Sequence, residues 1–351
     1  MTILYKNMRL LTSLFLMLTM CVFTSCDSEE VLLGNWTRQS DFAGTARTGA
    51  VAFTIDGRAY VGTGSDGTNR LNDFWQYNPE SNEWTRMADF PGVARSGAVG
   101  FAANGKGYIG TGYDGTNNLN DFWEFDPAGQ GTWTQIADFP GTARFGAVAM
   151  TLENKGYVAA GYDGSYRKDF WQFDPATGTW TERTELSGAR RVNGFAFTVN
   201  DKGYIGGGLN NGILETDLIE YTPATDTWRN MRSLNSAERP GTEYPTPRTN
   251  ATAFAINNRA YLLGGTRVSR ADTQTGEPYS SNPTNAAAQS DAWEYNPATD
   301  TWRTLSGATR AASRESAIGF AIGDYGYIGL GRNGTTRSSE IWQYDVTRGG
   351  D

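Results

Sequence analysis

From about residue 34 to 348 the chain reads as short runs of aromatic and aliphatic residues at alternate positions, each closed by Gly, Asp, Asn or Pro. Period-two alternation with frequent turn residues predicts short strands rather than long helices. The pattern recurs with one frame. Blocks 73–99 and 121–148 nearly superimpose, and a tryptophan returns at Trp36, Trp84, Trp133, Trp180, Trp228 and Trp302, at intervals of 48, 49, 47, 48 and 74 residues. The last interval is one period plus an insertion. A second marker, an arginine, recurs as Arg47, Arg95, Arg144, Arg191, Arg248 and Arg314. Both markers count six units.

Each unit predicts four strands: one after the arginine, one around a Gly-Tyr pair, one with an aromatic couple and one with the repeat tryptophan. In the second unit these are 96–103, 106–112, 121–126 and 132–135. Trp123 and Phe125 stand two apart on one strand face, as do Trp75 with Tyr77, Trp171 with Phe173, Trp293 with Tyr295 and Trp342 with Tyr344. Such couples read as packing between units. The third-strand Trp75 precedes the fourth-strand Trp84 by nine residues, so Trp342 calls for a partner near 351, where the sequence stops. Residues 35–38 should therefore supply the last unit's missing strand and close a ring without open edges.

These residues, with the pairs Gly207-Gly208 and Gly264-Gly265 and the loop from Tyr113 to Asn120, resemble kelch repeats of the galactose oxidase and kelch propeller superfamily. The resemblance implies an all-β fold, a six-bladed β-propeller of four-stranded blades closed by the N-terminal strand, over 34–351.

Composition narrows the chemistry. The net charge of −8 argues against a nucleic-acid partner. With no histidine, imidazole metal sites, Ser-His-Asp and Cys-His nucleophiles and a histidine base are excluded. No cofactor is expected. The two cysteines, Cys21 and Cys26, lie outside the repeats, so the repeats contain neither disulfide nor thiol. The chain is expected to be monomeric.

Residues 1–25 read as an export signal: Lys6 and Arg9 precede an apolar run from Leu10 to Phe23. Phe23-Thr24-Ser25-Cys26 resembles a bacterial lipobox, which implies lipidation of Cys26 and a membrane anchor. The acidic tether, 26–33, contains Asp27-Ser28-Glu29-Glu30 and resembles the export signal of surface-displayed Bacteroidota lipoproteins. The expected location is the outer membrane, on the cell surface or facing the periplasm.

In a propeller the loops from fourth to first strand and from second to third strand share one face, which carries the six arginines and the Asp-Gly loops. In animal kelch adaptors arginines so placed recognise acidic peptides, and the resemblance implies a channel-mouth ring of Arg47, Arg95 and Arg144 with Arg191, Arg248 and Arg314. The competing reading is that each arginine bonds carbonyls of a neighbouring blade. Two residues past the arginine, Gly49, Gly97 and Gly146 give way to Asn193, Asn250 and Ser316; one residue past it, the sixth unit has Glu315. Two insertions, 236–247 and 266–289, fall on the same face. These features propose a binding site from Arg191, Asn193, Arg248, Asn250, Arg314 and Glu315, with Tyr244 and Arg267 as lid residues. Asp66-Gly67, Asp114-Gly115 and Asp163-Gly164 read as turns.

Two functions compete. One is a non-enzymatic module for a glycan or protein ligand. The other is a sugar mutarotase or epimerase, resembling periplasmic six-bladed kelch enzymes that act on sialic acid, with Glu215, Glu243 or Glu315 as the acid. Galactose oxidase chemistry fails for want of its histidine ligands and its tyrosine-linked cysteine.

Overall fold

The computed structural model describes residues 32–33, 35–235, 244–267 and 288–348. Cys26, Glu243 and most of both insertions lie outside these. Six four-stranded antiparallel sheets follow one another as blades I to VI. In blade II the strands are Val99–Ala103, Lys106–Gly110, Phe122–Asp126 and Thr132–Ile136, each one to three residues different from the expected bounds. Blade VI comprises Ile318–Ile322, Tyr325–Gly329, Ile341–Asp345 and, from the other end of the chain, Trp36–Gln39. Trp36 pairs with Tyr344 and Arg38 with Trp342, which closes the ring at the expected register. A further two-residue strand, Leu32–Leu33, adds to the outer side of Trp36–Gln39.

Six of the hydrophobic clusters each span one blade interface, including the seam between blades VI and I. The third strand explains why. Phe122 packs against Trp180 of blade III at 4.9 Å, whereas Phe125 packs against Phe74 of blade I at 4.9 Å. The aromatic repeat thus buries both faces of every blade, so each blade is stable only between two others.

Two rings of backbone hydrogen bonds encircle the axis. The N–H of Gly97 donates to the carbonyl of Gly49, Gly146 to Gly97, Asn193 to Gly146, Asn250 to Asn193, Ser316 to Asn250 and Gly49 to Ser316, over 2.8 to 3.1 Å. All six residues have positive φ, between 51° and 62°. That conformation explains the sequence at this position: glycine adopts it freely and asparagine is among the best tolerated alternatives. In the second ring Gly64, Gly112, Gly161, Gly208, Gly265 and Gly331 donate to the carbonyl of the next blade's repeat arginine.

Candidate functional site

The repeat arginines are not at the surface. Arg47, Arg95, Arg144, Arg191, Arg248 and Arg314 are all buried. Five of the guanidiniums grip an aspartate of their own blade with two nitrogens: Arg47 with Asp73, Arg95 with Asp121, Arg144 with Asp169, Arg191 with Asp217 and Arg248 with Asp291, at 2.5 to 2.8 Å. Each also donates to the carbonyl of the residue just after its own second strand, for example Thr111 at 3.0 Å from Arg95. The sequence reading that placed these guanidiniums at the channel mouth is corrected accordingly. The reading that they bond carbonyls of a neighbouring blade holds only for the backbone: the N–H groups of Arg95, Arg144 and Arg191 donate to the carbonyls of Leu71, Leu119 and Arg167 of the preceding blade, and the arginine carbonyls accept from its glycines, whereas the guanidiniums stay within their own blade. Burial would raise the carboxyls of Asp73, Asp121 and Asp291, but the arginine and an indole N–H on each outweigh it and hold them below the usual range.

The other residues of the expected site are also tied down. Asn193 and Asn250 occupy the positive-φ ring, and the Asn193 side chain lies over Gly146 where a Cβ would stand. Glu315 is buried and accepts from Arg332 Nε at 2.8 Å. Tyr244 is half-buried, its hydroxyl accepting from Arg232 at 3.1 Å. Arg267 alone of the set is exposed. The Asp-Gly loops are turns: Asp66 accepts from the N–H groups of Thr68 and Asn69, and Asp114 from those of Thr116 and Asn117.

What differs from blade to blade is the residue after the second-strand glycine. It is Ser65, Tyr113, Tyr162, Leu209, Thr266 and Arg332 in blades I to VI, each bridged to the residue after the repeat arginine. Sixfold symmetry therefore breaks into sectors on the loop face. Over blades II to IV, Phe145, Val192 and Leu209 form a buried cluster flanked by half-buried Tyr113, Tyr162, Tyr166 and Leu214. The rings form a continuous run: Tyr113 to Phe145 at 5.9 Å, Phe145 to Tyr162 at 5.6 Å and Tyr162 to Tyr166 at 5.0 Å. Arg70 of blade I lies over Tyr113 at 5.5 Å. Burial pushes the Tyr166 phenol up, so it stays protonated and able to donate. Burial likewise raises the Glu215 carboxyl on the neighbouring hairpin of blade IV, above the opposing effects of Asn210 and Arg191. The sequence reading missed the tyrosines. The signal was present at a varied position in an otherwise regular repeat, but it sat in loops read only as turns.

Comparison with known proteins agrees with the architecture. Residues 46–91 and 143–187 match the Kelch motif. A solved chain titled "Structure of YjhT" aligns with TM-score 0.71 at 17% identity, covering 86% of this chain and 95% of that one. No curated protein matches the sequence. With 794 solved chains matching, the fold by itself selects no function. The chain is a six-bladed kelch-type β-propeller.

Proposed function

We propose that this propeller is a binding module that takes a carbohydrate on the tyrosine sector of its loop face. The observation that carries the reading is the run of half-buried tyrosines around Phe145, on a face whose repeat arginines are consumed as scaffold. Aromatic faces stack on the C–H faces of sugars while phenol hydroxyls bond sugar hydroxyls, and the ring supplies a rigid platform. The sequence adds the setting: export by residues 1–25, lipidation at Cys26 and display at the outer membrane. The module works as a monomer without a cofactor. A glycan array probed with wild type and Tyr162→Ala tests the reading. Saturable hits weakened roughly tenfold in the variant are expected from loss of one aromatic contact; hits unchanged in the variant, or no hits at all, would overturn it. Palmitate labelling lost in Cys26→Ser tests the anchor.

Glu215 favours a second reading, a mutarotase. A carboxyl whose proton affinity is raised by burial can give its proton to the sugar ring oxygen while a base takes the proton of the anomeric hydroxyl, so that the ring C–O bond breaks as the carbonyl forms, and the reverse transfers re-close the ring without net change. Faster NMR anomer exchange that disappears in Glu215→Gln would establish it, and binding without acceleration would leave the module non-enzymatic.

A further inference from the structure

Blade VI breaks the arginine pattern of the other five. In blades I to V the arginine Nε donates to the carbonyl two residues before it, at 2.8 to 3.1 Å. In blade VI the short helix Thr309–Ala312 turns the carbonyl of Ala312 onto the backbone N–H of Arg314 at 2.6 Å, and Arg314 Nε is buried without an acceptor. Its carboxylate partner is a glutamate, Glu340, at 3.5 Å, which also accepts from Arg310 at 2.9 Å and from the Trp342 indole at 3.1 Å. Burial pulls Arg314 down to about 10.

The surplus of positive charge grows around this pair. The Arg337 side chain makes no hydrogen bond or ion pair among the described residues, and its Nε is buried. Its guanidinium lies over Gly67 of blade I, in the space a side chain would fill. Burial and the neighbouring Arg332 both disfavour its charge, with only Asp66 opposing. Arg332 is joined to Glu315 through Nε. These groups, with Arg38, wall an open groove of about 980 Å³ whose carboxylates are Asp41 and Glu340. No aliphatic or aromatic side chain lines it, and its remaining polar lining is hydroxyl and amide. Such a wall offers no anchor pocket for peptide side chains, whereas clustered guanidiniums match oxyanions with paired donors.

We propose that this groove is a second ligand site, binding a saccharide through a carboxylate or sulfate held by Arg337 and Arg332, with Ser313 and Asn333 on its hydroxyls. It is separate from the tyrosine sector and stands whether or not that sector binds. Five arginines, Arg38, Arg310, Arg314, Arg332 and Arg337, line the groove against two carboxylates, Asp41 and Glu340, so a bound anion offsets the excess positive charge.

The test is calorimetry at low salt on the purified chain, wild type and Arg337→Ala, with four probes: a galacturonate oligomer, a sulfated oligosaccharide, inorganic phosphate and a poly-glutamate peptide. Binding of a uronate or sulfated probe is expected, weakened by roughly ten- to a hundredfold in Arg337→Ala and also by raised salt. Phosphate competing with the sugar would support recognition of the oxyanion itself; sugar binding without phosphate binding would support recognition of the whole saccharide. Tightest binding by the peptide, no binding by either saccharide probe, or saccharide binding unchanged in Arg337→Ala would each overturn the proposal. If Arg337→Ala fails to fold, protection of Arg337 from phenylglyoxal by saturating saccharide replaces it, and an unprotected Arg337 would be equally decisive against.

Discussion

Replacing Arg95 with alanine should destabilise the propeller severely, and replacing Arg314 should do so much less. Arg95 is fully buried and donates to the carbonyl of Val93 at 2.9 Å, to that of Thr111 at 3.0 Å and to both oxygens of Asp121 at 2.7 Å. Its removal strands a half-buried carboxylate and two carbonyls. Breaking a buried, hydrogen-bonded ion pair from one side costs about 3 to 5 kcal/mol. For a domain of this size that corresponds to a fall in Tm of roughly 5 to 8 °C. Arg314 already lacks the Nε bond and holds its carboxylate at 3.5 Å, while Arg310 and Trp342 would still satisfy Glu340 in its absence. The cost there should be about half as large. Differential scanning calorimetry of the two variants, with Asp121→Asn as a milder partner, measures the contrast. Equal losses would refute the account of blade VI. An Arg95→Ala protein with unchanged Tm would refute the scaffold role of the whole set and restore the arginines as surface recognition groups.

Other outcomes follow from the same geometry. Gly97→Ala, at φ 62°, should cost about 1 to 2 kcal/mol, whereas Asn193→Gly at the equivalent position should be neutral within about 0.5 kcal/mol in urea titrations. Because Asp73, Asp121 and Asp291 have lowered folded-state pKa values, their stabilisation is present above the ordinary carboxylate range and lost as pH falls through the depressed values. Acid titration by circular dichroism should therefore show stability declining from below about pH 5, and a protein gaining stability there would contradict the pairing. Deleting residues up to Ser40 removes the strand paired with Ile341–Asp345 and bares that edge; size-exclusion chromatography should show association or loss of the folded species.

The fold was legible because its signals are periodic. Six tryptophans and six arginines in one frame counted the blades, and the unmatched Trp342 located the closing strand. The site was less legible for a physical reason. An arginine repeated on a loop face has the same sequence signature whether it points to solvent or into its own blade, and only the partner decides. Asp73, Asp121, Asp169, Asp217 and Asp291, each immediately before a third strand, were that partner. The change from glycine to Asn193 and Asn250 suggested polar groups brought in for binding, yet the shared positive φ accounts for both residue types. Tyr113 and Tyr162 begin loops whose Asp-Gly sequences drew attention to turns, and their convergence on Phe145 from neighbouring blades is a tertiary fact that no spacing within one repeat reveals.

Hydroxyl-radical footprinting of the protein with and without saturating amounts of a glycan identified on the array tests the central claim most directly. The account predicts reduced oxidation of Tyr113, Tyr162 and Tyr166 together; protection confined to other parts of the ring, with these tyrosines unchanged, would contradict it.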